Sequence, residues 1–194
     1  MSIPQSLLDK LKQIEPDADF SGSLPKVRSS TGKVYFAKLG SSREAEQFEG
    51  EAESLKAIDA AAPGLAPKVF VSGTTEDGRP FFVSEYKDIG SLSGAGDVLG
   101  RRLATEMHVH KSPEGLWGFE VPTYCGATRM ENGWFDTWAE CYTMKIEELL
   151  GYLRKKGGSS YAGLIRKGER VRDEYVSYWS DLGEVAVVTD FFVE

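Results

Sequence analysis

At 194 residues, 41% of them hydrophobic, the chain is long enough to bury a sizeable core, and its length suits one domain or one domain plus part of another. Its 23 basic against 30 acidic residues give a net charge of −7, and no Lys/Arg run tracks a phosphate backbone, so nucleic acid is not an expected partner. No apolar run is long enough to span a bilayer, and two cysteines, Cys125 and Cys141, make neither a disulfide framework nor a metal-ligand spacing. These features predict a soluble, cytoplasmic protein with reduced thiols and no membrane partner.

The chain opens on Leu7, Leu8, Leu11 and Ile14 separated by polar residues, which predicts an amphipathic helix over about 4–14 and no signal-peptide core. Phe20 to Arg28 reads as strand, turn, strand around Ser21-Gly22-Ser23, and Lys33 to Leu39 as a further strand rich in β-branched and aromatic residues. From Ser42 to Ala61 the apolar spacing changes to three and four, through Phe48, Ala52, Leu55 and Ile58, predicting a helix with Ser41 and Glu44 as its capping box. Pro63-Gly64 ends it, and two strands, 67–72 and 80–86, follow around the turn Glu76-Asp77-Gly78-Arg79. Beyond a Gly/Ser linker at 88–96, no strand is obvious for a long way, and helices are expected over 98–110 and 135–153. The resulting fold class is α+β: a protein-kinase-like N-lobe over 1–87, made of an antiparallel sheet plus one helix, then an incomplete helical C-lobe over 88–194.

Lys38 is a lysine in mid-strand between Ala37 and Leu39, a place where lysine needs a partner unless the face is solvated. Glu51, 13 residues on and flanked one turn either side by Phe48 and Leu55, suits an ion pair of the kind that aims an ammonium at nucleotide phosphates in kinase-like enzymes. Spacing alone leaves open the alternative that Lys38 is solvated and Glu51 is one of a charged set with Glu49 and Glu53. Gly22, in the only small-residue turn ahead of Lys38, is the candidate for a phosphate-cradling loop, although Pro25 removes a nearby donor and an ordinary β-turn explains the residue equally. Glu85 and Tyr86 close the last strand before the linker, where backbone groups of a bilobal kinase read the adenine edge. His108 and His110 lack a third ligand at a supporting spacing, and His108 reads as a packed or capping residue.

Gly118-Phe119 through Thr123-Tyr124-Cys125-Gly126, then Asn132-Gly133-Trp134 and Trp138, resembles the fructosamine kinase signature G-F-x-x-x-T-x-C-G followed by N-x-W and a downstream W. Phe48 to Ile58 is similar to that family's F-E-G-E-x-x-S-L-x-A-I helix, and Leu99 to His108 to its L-G-x-x-L-A-x-x-x-H helix; the likeness covers roughly residues 17–155. The resemblance implies ATP with Mg²⁺, bound through Lys38, Glu51, Gly22, Glu85 and Tyr86. It implies transfer of phosphate to the sugar 3-hydroxyl of a ketoamine-modified lysine, with a glycated protein or a ketosamine small molecule as substrate. Family members continue into H-G-D-x-W-x-x-N, whose Asp serves the substrate hydroxyl; this sequence has no histidine after His110, so no catalytic residue and no metal ligand is expected here. The chain is therefore expected to be a C-terminally truncated, inactive member, or else a pseudokinase-like module that binds a nucleotide or partner. Val187 to Phe192 only faintly resembles a D-F-G magnesium segment, and 181–194 departs from the family.

Overall fold

The computed structural model describes residues 3–91 and 93–176; the segment around Asp190 and the divergent stretch 181–194 lie outside them. The chain divides into two compact units, Met1–Met107 and His108–Glu194.

The first unit is a five-stranded antiparallel sheet of order β1-β2-β3-β5-β4, with β1 Phe20–Ser23, β2 Lys26–Ser29, β3 Val34–Leu39, β4 Val69–Thr74 and β5 Pro80–Glu85. Helix α1, Gln5–Ile14, precedes the sheet, and α2, Ala45–Ala61, crosses over between β3 and β4. Period-two alternation sorts the strand residues onto two faces. On one face Val27, Tyr35, Ala37, Phe81 and Val83 form the core with Ile3, Leu7 and Leu11 of the N-terminal segment. On the other, Phe82 meets the ring of Phe48 from α2 edge-on, with centroids 5.9 Å apart. β5 is consequently buried from Pro80 to Ser84, and its sequence is a near-continuous apolar run.

Ser41 caps the start of the α2 segment as expected: its backbone N–H donates to the Glu44 carboxylate at 2.7 Å, ahead of a short 3₁₀ turn Ser42–Glu44. The expected helix over 98–110 is shorter. It is α3, Gly96–Arg102, passing into a π-helical turn Leu103–Met107, and His108 stands exposed beyond it rather than packed.

The second unit departs from the all-helical expectation. Four strands of three residues, β6 Trp117–Phe119, β7 Thr123–Cys125, β8 Thr128–Met130 and β9 Gly133–Phe135, form two nested antiparallel pairs, β6 with β9 and β7 with β8. Helix α4, Trp138–Gly157, packs against β6, β9 and α5, Ala162–Arg170. Strands this short, interrupted by Pro122 and by glycines, carry no readable alternation.

Candidate functional site

Lys38 and Glu51 are brought together. Their face of the sheet follows from register: Lys38 lies opposite Phe82 and Phe36 opposite Ser84, on the side that α2 covers. Lys38 Nζ donates to Glu51 Oε2 at 2.6 Å, with both side chains still more than a third exposed. The Phe48 ring lies 4.9 Å from the same ammonium and the Phe82 ring 5.8 Å. Two apolar rings and one carboxylate thus hold the charge in place while leaving donors free for an incoming anion. Sequence reasoning used Phe48 only to orient α2; that its ring sits against the ammonium is visible only in three dimensions. Glu53, the other candidate partner, pairs instead with Lys56 at 2.6 Å.

The hairpin containing Gly22 runs beside the same strand. Ala37 N–H donates to Pro25 O at 2.7 Å, so the β1–β2 turn flanks the residue preceding Lys38. Gly22 has φ +109°, and a Cβ there would stand 2.8 Å from the Lys26 carbonyl oxygen. The backbone therefore demands glycine at this position, but Gly22 lies within β1 opposite Val27, and the turn falls at Leu24-Pro25 rather than at the expected Ser21-Gly22-Ser23.

Glu85 and Tyr86 lie at the other end of the sheet. Their amides are engaged within the lobe, Glu85 N–H to Lys68 O at 2.8 Å and Tyr86 N–H to Val34 O at 3.4 Å. The Lys26 ammonium stands 4.1 Å from the centre of the Tyr86 ring. An open cavity of about 690 Å³ borders both residues, lined also by Lys26, Arg28, Val34 and Asp88. Among the described residues no group of three or more His, Cys, Asp or Glu is placed to hold a metal ion.

In the second unit the signature residues converge on one polar node. Asn132, 6% exposed and at φ 59°, donates through Nδ2 to Val121 O and to Thr123 Oγ1, both at 2.9 Å, and accepts from buried Lys145 Nζ at 2.8 Å. Trp138 stacks on Tyr142 with centroids 4.7 Å apart. Thr123 and Asn132 thereby hold the nested strands together. Lys145, 13 residues on in α4, was not among the expected residues, and only its contact with Asn132 identifies it.

Known proteins resemble the chain over most of its length. Residues 21–178 match the family model described as fructosamine kinase. The chain is 32% identical over 136 residues to protein-ribulosamine 3-kinase, chloroplastic, of Arabidopsis thaliana, covering 69% of this chain and 40% of that protein. It is 29% identical over 156 residues to ketosamine-3-kinase of Mus musculus, covering 68% of this chain and 50% of that one. The chain thus spans half or less of the length of these relatives. A crystal structure described as a fructosamine-3-kinase of Haemophilus somnus 129PT shares the fold, with TM-score 0.62 at 17% identity over 88% of this chain and 62% of that one. With a mixed α+β fold of this kind and a family match across most of its length, the chain belongs to the fructosamine kinase family.

Proposed function

We propose that residues 1–107 form an ATP site of a ketosamine 3-kinase, in which Lys38 binds nucleotide phosphates and Glu51 orients it. The observation that carries this reading is the 2.6 Å Lys38–Glu51 pair, formed between the sheet and the one helix inserted in it and still open to solvent. A half-exposed ammonium fixed by a carboxylate and two rings is preorganised for phosphate, because it loses little freedom on binding. The β1–β2 turn at Leu24-Pro25 runs beside its strand, with Gly22 just behind it in β1, and Glu85 and Tyr86 border the place for the base. With their amides taken up inside the lobe, these two residues would serve a base through their carbonyl oxygens and the Tyr86 ring rather than through N–H groups.

The donor set for a magnesium ion is not assembled among the described residues, so magnesium belongs to the proposal only as a companion of the nucleotide. The substrate side rests on family membership: a ribulosamine- or fructosamine-type adduct on lysine, phosphorylated at the sugar 3-hydroxyl so that the adduct is destabilised. The reading includes a reducing, cytoplasmic compartment, and no disulfide joins exposed Cys125 to buried Cys141. No helix among the described residues is long and apolar enough to cross a membrane.

Mg-ATP should raise the melting temperature of the purified chain, and Lys38→Ala should abolish the rise; at a hundredfold excess over Kd the stabilisation is about 2.7 kcal/mol. A parent protein that does not respond to Mg-ATP would remove the nucleotide reading altogether.

A further inference from the structure

Glu51 aims Lys38 only if α2 is itself held still, and the far end of α2 is gripped by a polar clamp. The helix ends at Ala61; Ala62 N–H returns to Ile58 O at 2.8 Å, and Asp59 Oδ1 accepts the Gly64 N–H at 3.1 Å. The next carbonyl, that of Pro63, accepts a hydrogen bond from Arg102 Nη2 at 2.9 Å. Arg102 is oriented in turn by Glu106, with Nε to Oε1 at 2.8 Å and Nη2 to Oε2 at 2.7 Å.

The segment Gly96–Met107 has no buried residue, and its half-buried side chains are Leu99, Arg102, Glu106 and Met107. The stripe it presents to the rest of its unit is therefore partly charged, and Arg102 donates a hydrogen bond to the end of α2. Three features strengthen that bond. The donor is ionised, the two-pronged Glu106 contact removes its rotational freedom, and a cation at a helix C-terminus is favoured by the helix dipole. The π-helical turn Leu103–Met107 sits where Glu106 meets Arg102, and such turns are commonly retained where a side chain must be placed.

We infer that Arg102, held by Glu106, is a positioning residue for the nucleotide site: it fixes the C-terminal end of α2 and, through that rigid helix, the placement of Glu51 against Lys38. Its functional consequence rests on the nucleotide reading above; its structural part does not. Glu51 lies ten residues before Ala61, roughly 15 Å along the axis, so a freed end is felt at Glu51 as a tilt of the whole helix.

The test combines hydrogen exchange with Mg-ATP titration on the full chain. Arg102→Ala should speed exchange of amides in 45–61 while leaving those of β3 and β5 unchanged, and should weaken Mg-ATP roughly tenfold. Arg102→Lys, which restores one donor to Pro63 O without the two-pronged Glu106 contact, should recover part of the loss. In a Glu51→Gln background Arg102→Ala should weaken Mg-ATP no further, because the residue acts through Glu51. Glu106→Gln, a milder change that keeps the side-chain volume, should shift both readouts in the same direction. Unchanged exchange in 45–61, exchange that rises equally across the sheet, or additive losses in the Glu51→Gln background would each overturn the inference. A parent that binds no Mg-ATP refutes the nucleotide reading instead, and the exchange measurement then decides on the clamp alone.

Discussion

Three residues of the second unit show what a sequence signature looks like in physical terms. A Cβ at Gly118, φ +137°, would fall 1.7 Å from the Gly133 carbonyl oxygen, so the two backbones pass in contact where β6 pairs with β9. Gly118→Ala should force that pair apart and destabilise by more than the ~1 kcal/mol that a compatible glycine replacement can gain; a fall in urea midpoint with unchanged slope would measure it. Asn132 is suited to its positive φ and is joined to Thr123, Val121 and Lys145 by hydrogen bonds. Asn132→Ala should destabilise by about 1–3 kcal/mol, because it removes an acceptor from a buried lysine and donors from two partners at once. Sequence reading found the motif but not these reasons, since a 1.7 Å conflict with a backbone 15 positions away leaves no local trace.

At the scale of elements, most of the first 86 residues were legible because the longer strands and helices show their period, whereas the four-residue β1 hid Ser21-Gly22-Ser23, which read as a turn. Leu7 and Leu11 mark α1, and Phe48, Ala52, Leu55 and Ile58 mark the buried stripe of α2. The strands of three residues between 117 and 135 were not: no strand was obvious there, and Phe135, taken as the start of a helix, ends β9. Side-chain links between elements were illegible too. Glu15, at the C-terminal end of α1, meets the β2–β3 turn, pairing with Lys33 and accepting from Ser29 Oγ at 2.6 Å and Thr31 Oγ1 at 3.2 Å. The Lys33 ammonium first, then the Ser29 hydroxyl, pull its pKa from 4.5 down to about 2. A carboxyl whose folded pKa is depressed stabilises above its ordinary value and loses that contribution as pH falls toward the folded one. The stability gap between the parent and Glu15→Gln should therefore be full at pH 6 and close progressively between about pH 4.5 and 2. Urea midpoints across that range, compared as differences, separate Glu15 from the other depressed carboxylates, Glu44, Glu106 and Asp173. A gap that does not change with pH would show that the α1 tie is not ionic.

For the molecule as a whole, the two halves of a phosphotransfer site make different demands on the chain. The nucleotide site proposed above draws on the sheet, α2 and the β1–β2 hairpin, and all of these lie within Met1–Met107. Transfer needs in addition a carboxylate at the acceptor hydroxyl, and the family's H-G-D has no counterpart in these 194 residues, which hold only His108 and His110. A positioned general base contributes typically about 10²–10⁴-fold to such a step, and the charge stabilisation that accompanies it contributes more. The nucleotide reading proposed above predicts that these 194 residues bind Mg-ATP, and a test with a fructosamine- or ribulosamine-bearing peptide decides whether they also transfer phosphate above the uncatalysed background. Radiolabelled ATP with such a peptide checks this directly, and the Lys38→Ala variant serves as the baseline. Phosphopeptide formed by the parent and not by Lys38→Ala would mean that a carboxylate already in the chain serves the acceptor hydroxyl. Binding without transfer would show that the Lys38–Glu51 half of the site assembles without the acceptor half, because each of its contacts lies among the first 107 residues.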